Sequence, residues 1–567
     1  MNKINLKGNP FYLNDSDIEW IEDTIKNMTL EEKIGQLFCP IGMVPDEAYL
    51  KNALLSKHIG GILFRSGESK EMQRIHNFLQ ENSKIPLLIA ANLEAGGDGI
   101  AVDGTAFGRQ MQIAATNNPE FAYKLGKVSC SEGEATGCNW TFAPVVDVDM
   151  NFRNPITNVR TYGNNPDVVL ENALNYLKAA KESNVAVSIK HFPGDGVDER
   201  DQHLATSVNT LSCEEWDKTF GKIYKGLIEA GALTTMIGHI AMPAYQKALN
   251  ENFEDKIVPA TLSKELVTGL LREKLNFNGM IVTDATPMVG FTSAMKREIA
   301  VPTSIAIGCD MFLFNKEFDE DYEYMMNGYK NGIISEERLE EALVRILATK
   351  AALKLHDKKS NNTLIKNEEN LEVISCEKHL EWAYDCADKS ITLVKDTQKI
   401  LPINSNKYKK VLLQILGDFP SNDRVYANFK KELEKNNFEV IDYLKESIDD
   451  LFIRKNTVNE FKEKYDLVIY IGNIENASNK TVSRINWYTL FGLGNNIPWF
   501  VNEIPTLFVS LGNPYHLLDV PMIKSYINCY SNNNFVIEKV VEKLVGNSEF
   551  KGISPIDPFC DREDTKY

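Results

Sequence analysis

Eight short apolar runs, rich in β-branched residues, recur at 34–38, 60–64, 86–92, 139–145, 185–192, 232–239, 279–284 and 310–314. Each run is continuous rather than alternating, the pattern of parallel strands covered on both faces. Helix-length segments separate them, as at 118–136, 166–182, 213–229 and 263–274, and another follows at 335–355. Parallel neighbours need such crossovers. The order therefore predicts an α/β fold, a TIM (β/α)8 barrel over residues 1–355. An open doubly wound sheet has the same content and remains the alternative.

After Leu355 the stretch HDKKSNNTLIKNEEN has no periodicity and reads as a linker over 356–380. A second, smaller α/β pattern occupies 381–567, with strands expected at 391–394, 411–417, 467–472 and 506–511 and a last one near Tyr526. This predicts a smaller α/β sandwich domain after the barrel, and 567 residues accommodate both.

The chain has 62 Lys and Arg against 79 Asp and Glu, a net charge of -17. That balance argues against nucleic acid and anionic membranes as partners. No apolar run spans a bilayer, and the first twenty residues do not read as a signal peptide, so a cytoplasmic location is expected. The nine cysteines are scattered without a CxxC pair, as are the eight histidines. Free thiols and no metal site follow. A small-molecule substrate is expected, on a monomer or homodimer.

In a barrel the reactive groups collect where strands end. Asp284 closes the run GMIVT and points to a nucleophile or base, or else to a helix cap. The loop KHFPGDGVDERDQHLATS carries Asp195, Asp198, Glu199, Asp201 and His203. If this segment is extended, Asp201 and His203 share one face, and a carboxylate beside an imidazole stabilises its protonated form. Such a pair moves protons near neutral pH; the alternative is a solvated loop. Lys190 and His191 suit a ligand with many acceptors, such as a sugar, or an internal ion pair with Asp147 or Asp149. Arg160 has the same two readings. His239 reads as a hydrogen-bonded core or supporting residue.

These segments resemble glycoside hydrolase family 3, in particular its bacterial β-N-acetylglucosaminidase branch. The matching stretches, in order, are MTLEEKIGQLF at Met28, GGILF at Gly60, NFRNPITNVRTYG at Asn151, KHFPGDG at Lys190, GHIAMPAY at Gly238, PATLS at Pro259 and GMIVTDATPMVG at Gly279. SITLVKD at Ser390 and VSLGNPYHLLDVP at Val509 resemble the second domain of longer members. The resemblance implies a retaining, exo-acting glycosidase that removes terminal β-linked N-acetylglucosamine. It implies Asp284 as nucleophile and Asp201 with His203 as acid/base. It places Lys190, His191, Arg160, Asn92, Glu94 and Met288 against the sugar, with no metal or organic cofactor.

Three positions depart from the family pattern. Asn92 stands where an Asp is common, Asp98 where an Arg is common, and Asp195 where a His is common. These changes leave β-glucosidase or β-xylosidase activity open. A neutral imidazole base also admits phosphate as acceptor, which makes a phosphorylase a variant of the same chemistry. Asp195, Asp198 and Glu199 would oppose phosphate if they face the site. A non-catalytic glycan-binding barrel is the alternative of a different class. An aldolase-type barrel would want a Gly-rich phosphate loop, for which DATPMVGFTS is poorly suited.

Overall fold

A computed structural model describes residues 4–253, 257–443, 457–474, 476–490, 493–494 and 496–567. The chain forms two compact units. One holds residues 1–107, 122–157 and 164–380; the other holds 108–121, 158–163 and 381–567.

The first unit is built on β1, in two pieces (Phe38–Cys39 and Ile41–Gly42), β2 (Gly61–Phe64), β3 (Leu88–Ala91), β4 (Trp140–Thr141), β5 (Ala186–Phe192), β6 (Thr234–Ile237), β7 (Met280–Thr283) and β8 (Phe312–Leu313). Parallel pairing runs in sequence from the second piece of β1 through β7. The first piece of β1 pairs with β8, and a parallel bridge from Val282 to Met311 joins β7 to the β8 segment. The ring is therefore closed, which makes it a (β/α)8 barrel and not an open sheet. The four residues of β2, β3, β6 and β7 are all buried, as their uniformly apolar runs require.

The first strand begins later than its apolar run. Residues Leu30–Gly35 are helical because Thr29 and Glu32 form a capping box: the Thr29 N–H donates to the Glu32 carboxylate at 2.9 Å and the Glu32 N–H to Thr29 Oγ1 at 3.3 Å. The helix Pro166–Glu182 matches its predicted span, with Asn165 capping and Pro166 at its first turn.

The stretch after Leu355, read as a linker, is tied to the barrel unit by hydrogen bonds. Leu355–Ser360 forms a separate short helix after a left-handed Lys354, and Glu368–Val373 forms a 3-10 turn. Asn77 holds Lys366 through both backbone groups, at 2.7 and 2.9 Å, and Gln73 donates to the Asn367 carbonyl at 2.8 Å. These tethers are side chain to backbone, so they leave no apolar periodicity to detect.

The second unit is a six-stranded sheet of β9 (Thr392–Asp396), β10 (Lys410–Leu416), β11 (Glu439–Asp442), β12 (Leu467–Gly472), β13 (Thr506–Ser510) and β14 (Ser525–Asn528). Its order is β9-β14-β13-β12-β10-β11, parallel except for β9. Val411, Leu413, Ile469, Ile471 and Val509 join one apolar core, and Leu412, Val468, Tyr470 and Phe508 another. This is the two-faced burial of an α/β sandwich. The edge strand β11, half exposed, is the one the sequence reading missed. Among the described residues no helix is long and apolar enough to cross a membrane.

Candidate active site

The carboxyl ends of β5, β6 and β7 bring the polar residues together. Asp284 follows β7 directly. Its N–H donates to the Ile237 carbonyl at the end of β6, at 2.8 Å, and its Oδ1 accepts the Ala285 N–H at 2.7 Å. The next helix, Val289–Thr292, takes Met288 as its N-cap residue, so Asp284 does not cap it. Met288 itself is buried there.

His191, near the end of β5, places Nε2 3.9 Å from Asp284 Oδ2. Its Nδ1 lies 2.7 Å from Asp147 Oδ2, and Asp147 Oδ1 also accepts the His191 and Asp195 N–H groups at 3.1 and 2.8 Å. Burial works to raise the Asp284 pKa. The nearby charges of His191, His239 and His203, with the Ala285 N–H, outweigh it and hold the carboxyl below its ordinary value. Asp147 is held low in the same way: burial is overcome chiefly by His191. Asp284 is thus an anion facing the barrel mouth, the state a nucleophile needs.

The structure forms the Asp201–His203 pair, but through a turn and not an extended segment. Asp201 Oδ1 accepts both the His203 N–H at 2.9 Å and His203 Nδ1 at 2.7 Å. The Leu204 and Ala205 N–H groups donate to the Asp201 carbonyl. An Asx turn brings the two side chains together where alternation would not. Asp201 is buried, whereas 26 % of the His203 side chain is exposed. With Nδ1 engaged, Nε2 is the atom that can exchange a proton.

Lys190 pairs with Glu94 at 2.6 Å, and both are buried. Of the ion pairs expected for Lys190 and His191 with Asp147 or Asp149, the one that forms among the described residues is His191 with Asp147, while Lys190 takes Glu94. Asn92 is exposed at the end of β3. Arg160 ends the 3-10 turn Asn158–Arg160, which belongs to the second compact unit. His239 lies between Thr261 Oγ1 and the Ala285 carbonyl, each at 2.9 Å. Burial holds its imidazole pKa below the usual value. The ring donates through Nε2 to the Ala285 carbonyl and so supports the Asp284 loop.

Of the other acids in the β5 loop, Asp195 is buried. Its Oδ1 accepts from the Gly196 N–H at 2.7 Å and Asn154 Nδ2 at 3.1 Å. Burial, with Asp147 and Asp201 nearby, pushes its pKa up to about 8. Asp198 is neutralised by the Arg200 guanidinium at 2.7 Å, and Glu199 is exposed.

Supporting residues escaped the sequence reading. Arg297 forks onto both Asp321 oxygens at 2.6 Å and donates to the Thr286 carbonyl and Oγ1, each at 3.1 Å. This clamps the loop that follows Asp284. Only an Arg in a helix signals it, which is no signal. Among the described residues one group, Asp17, His356 and Asp357, has metal-like spacing. Lys354 Nζ already donates to both Asp17 oxygens, at 2.7 and 2.6 Å, so an ammonium fills the place of an ion.

A closed barrel with an anionic carboxylate and a carboxylate–imidazole pair at its strand ends has the parts of an enzyme that acts on glycosides. The chain matches the glycosyl hydrolase family 3 N-terminal domain over residues 29–349, and it belongs to that family. It is 41 % identical to a protein of Cellulomonas fimi named β-N-acetylglucosaminidase/β-glucosidase, across 99 % of this chain and 100 % of that one. A β-hexosaminidase A of Pseudoalteromonas piscicida is 29 % identical over 58 % of this chain and 56 % of its own. The structure of a protein named β-glucoside phosphorylase BglX superposes with a TM-score of 0.93 at 42 % identity, covering 98 % of this chain and 99 % of that one. A β-N-acetylglucosaminidase from Paenibacillus sp. shares the fold, with a TM-score of 0.78 at 21 % identity over 94 % of this chain and 100 % of that one.

Proposed function

We propose that this chain cleaves terminal β-glucosides and N-acetyl-β-glucosaminides by a retaining double displacement and passes the sugar to inorganic phosphate. The observation that carries the reading is the Asp201–His203 pair, in which Asp201 Oδ1 lies 2.7 Å from Nδ1 and leaves Nε2 of a part-exposed ring to exchange a proton. In the first step Asp284 forms a bond to the anomeric carbon as the glycosidic C–O bond breaks. His203 Nε2 gives its proton to the leaving oxygen. In the second step the neutral Nε2 takes a proton from the acceptor, the new C–O bond forms and Asp284 leaves as a carboxylate. Asp201 holds the ring and stabilises its protonated state. Two inversions at one carbon return the β configuration.

Phosphate is favoured as acceptor for three reasons. A neutral imidazole does not repel an anion as a carboxylate base does. Two of the three acids that would oppose phosphate are muted: Asp195 has its pKa pushed up to about 8, and Asp198 is paired with Arg200, while Glu199 is exposed to solvent. The similar phosphorylase spans almost the whole chain. Hydrolysis of N-acetylglucosaminides is the second reading, favoured by the double name of the Cellulomonas fimi relative.

The test uses 4-nitrophenyl β-glucoside and 4-nitrophenyl N-acetyl-β-glucosaminide, each with and without phosphate, with products identified by NMR and mass. Sugar 1-phosphate formed in the presence of phosphate supports the reading. Free sugar at a rate independent of phosphate replaces it with hydrolysis. A 2-deoxy-2-fluoro glycoside should label the peptide containing Asp284, and labelling elsewhere would displace that assignment.

A further inference from the structure

The residue between the two members of the pair is itself fixed. Gln202 is buried, and its Oε1 accepts the His239 N–H at 2.7 Å, just beyond β6. Its backbone carbonyl accepts the Gly290 N–H at 3.1 Å, and the His203 carbonyl accepts the Val289 N–H at 3.1 Å. Thr206 Oγ1 returns a bond to the Gly290 carbonyl at 3.1 Å. Gln202 Nε2 lies 3.4 Å from Asp195 Oδ2. The acid/base turn is thus fastened on one side to the end of β6 and on another to the helix that follows Asp284.

Gly290 shows how tightly the joint is closed. A Cβ there would fall 2.7 Å from the Gln202 carbonyl oxygen and 2.8 Å from His239 Cβ. Both separations lie below van der Waals contact, so a side chain at 290 would push the two loops apart.

We infer that Gln202 is a positioning residue that holds His203 at a fixed reach from Asp284 by locking the acid/base turn onto β6 and the Asp284 loop. The inference rests on the roles given to His203 and Asp284 in the proposed function. Its physical content is geometric. A general acid contributes only when its proton lies within hydrogen-bond reach of the leaving oxygen. Displacement of the turn by about 1 Å removes much of that contribution.

The experiment compares wild type with Gln202→Met, which keeps the side chain's length and removes its acceptor. Values of kcat/KM are measured on a 2,4-dinitrophenyl glycoside, which departs without a proton, and on an alkyl glycoside, which needs one. Tm is read alongside. Gln202→Met should lose about 10–100-fold on the alkyl glycoside, a partial loss of the roughly 10²–10⁴-fold that general acid catalysis supplies, and less than about threefold on the dinitrophenyl glycoside. Gly290→Ala, which opens the same joint from the other side, should repeat the pattern. Equal losses on both substrates with a lowered Tm would show a merely structural residue and overturn the inference, as would no loss on either. A wild-type protein that turns over neither glycoside and takes up no fluoroglycoside overturns the parent assignment instead.

Discussion

Removing one half of the Lys190–Glu94 pair should destabilise the barrel more than removing both halves. The ammonium and carboxylate lie 2.6 Å apart. The two residues are 4 % and 5 % exposed. At that distance and an effective permittivity of about 20, their attraction is about 6 kcal/mol. Withdrawing each ion from water costs several kcal/mol, so the net contribution of the intact pair is small. Glu94→Gln keeps the shape but leaves a buried ammonium against a neutral amide, which should destabilise by about 3–5 kcal/mol. Adding Lys190→Met removes the stranded charge and should restore most of that loss. Activity should not return with stability. In the sugar-binding role that the family resemblance implies for Lys190, a charged hydrogen-bond donor to a hydroxyl contributes about 1.5–3 kcal/mol, so KM should stay raised roughly 10- to 150-fold in the double variant. Urea unfolding followed by tryptophan fluorescence gives the first quantity and steady-state kinetics the second. A Glu94→Gln protein within about 0.5 kcal/mol of wild type, the range of ordinary surface substitutions, would refute the reasoning. A double variant no more stable than Glu94→Gln would do the same.

Three further outcomes are expected. His203→Ala should lower kcat/KM on an alkyl glycoside by about 10²–10⁴-fold and much less on a dinitrophenyl glycoside, read from initial rates. Asp195, pushed up to about 8, keeps a proton that the unfolded chain has lost between its ordinary value and pH 8. Stability should therefore fall as pH rises through that window, by up to about 1.4 kcal/mol per pH unit, and Asp195→Asn should remove the fall in Tm measured from pH 5 to 9. Lys350, which donates to Gln36 Oε1 at 2.7 Å, is lowered by burial from 10.5 to about 7. The unfolded chain holds a proton there that the native one lacks, so this group makes stability rise from pH 7 towards 10.5, and Lys350→Met should flatten that rise in Tm.

The closed barrel was legible because burial on two faces leaves continuous apolar runs, as in β2 and β7. Its first strand was placed too early because Ile34 and Leu37 are apolar on either side of a capped helix end, and apolarity alone does not separate the two. Asp284 and the Asp201–His203 pair were legible as residues at strand ends, while the Asx turn that joins the pair was not, since it depends on one backbone N–H. Gln202, Arg297 and Asp321 carried no readable signal. Each acts through a backbone group or a partner remote in sequence, and polar side chains at such positions look like solvated surface.

Glu132 lies fully buried in the helix Glu120–Ala135. Its carboxylate accepts from the Thr105 N–H at 2.8 Å and Thr105 Oγ1 at 2.6 Å, in the loop that follows β3. It also accepts the Ser375 N–H at 3.1 Å and meets His379 Nδ1 at 2.7 Å. Two of its four hydrogen-bond donors thus come from the stretch that read as a linker. A barrel cut at residue 355 would keep every strand and helix of its ring, yet strand a carboxylate in its interior beside the loop that carries Glu94. The smallest piece of this chain that keeps the bonds of Glu132 and the loop after β3 intact extends at least to His379, twenty-four residues beyond where the repeating pattern stops.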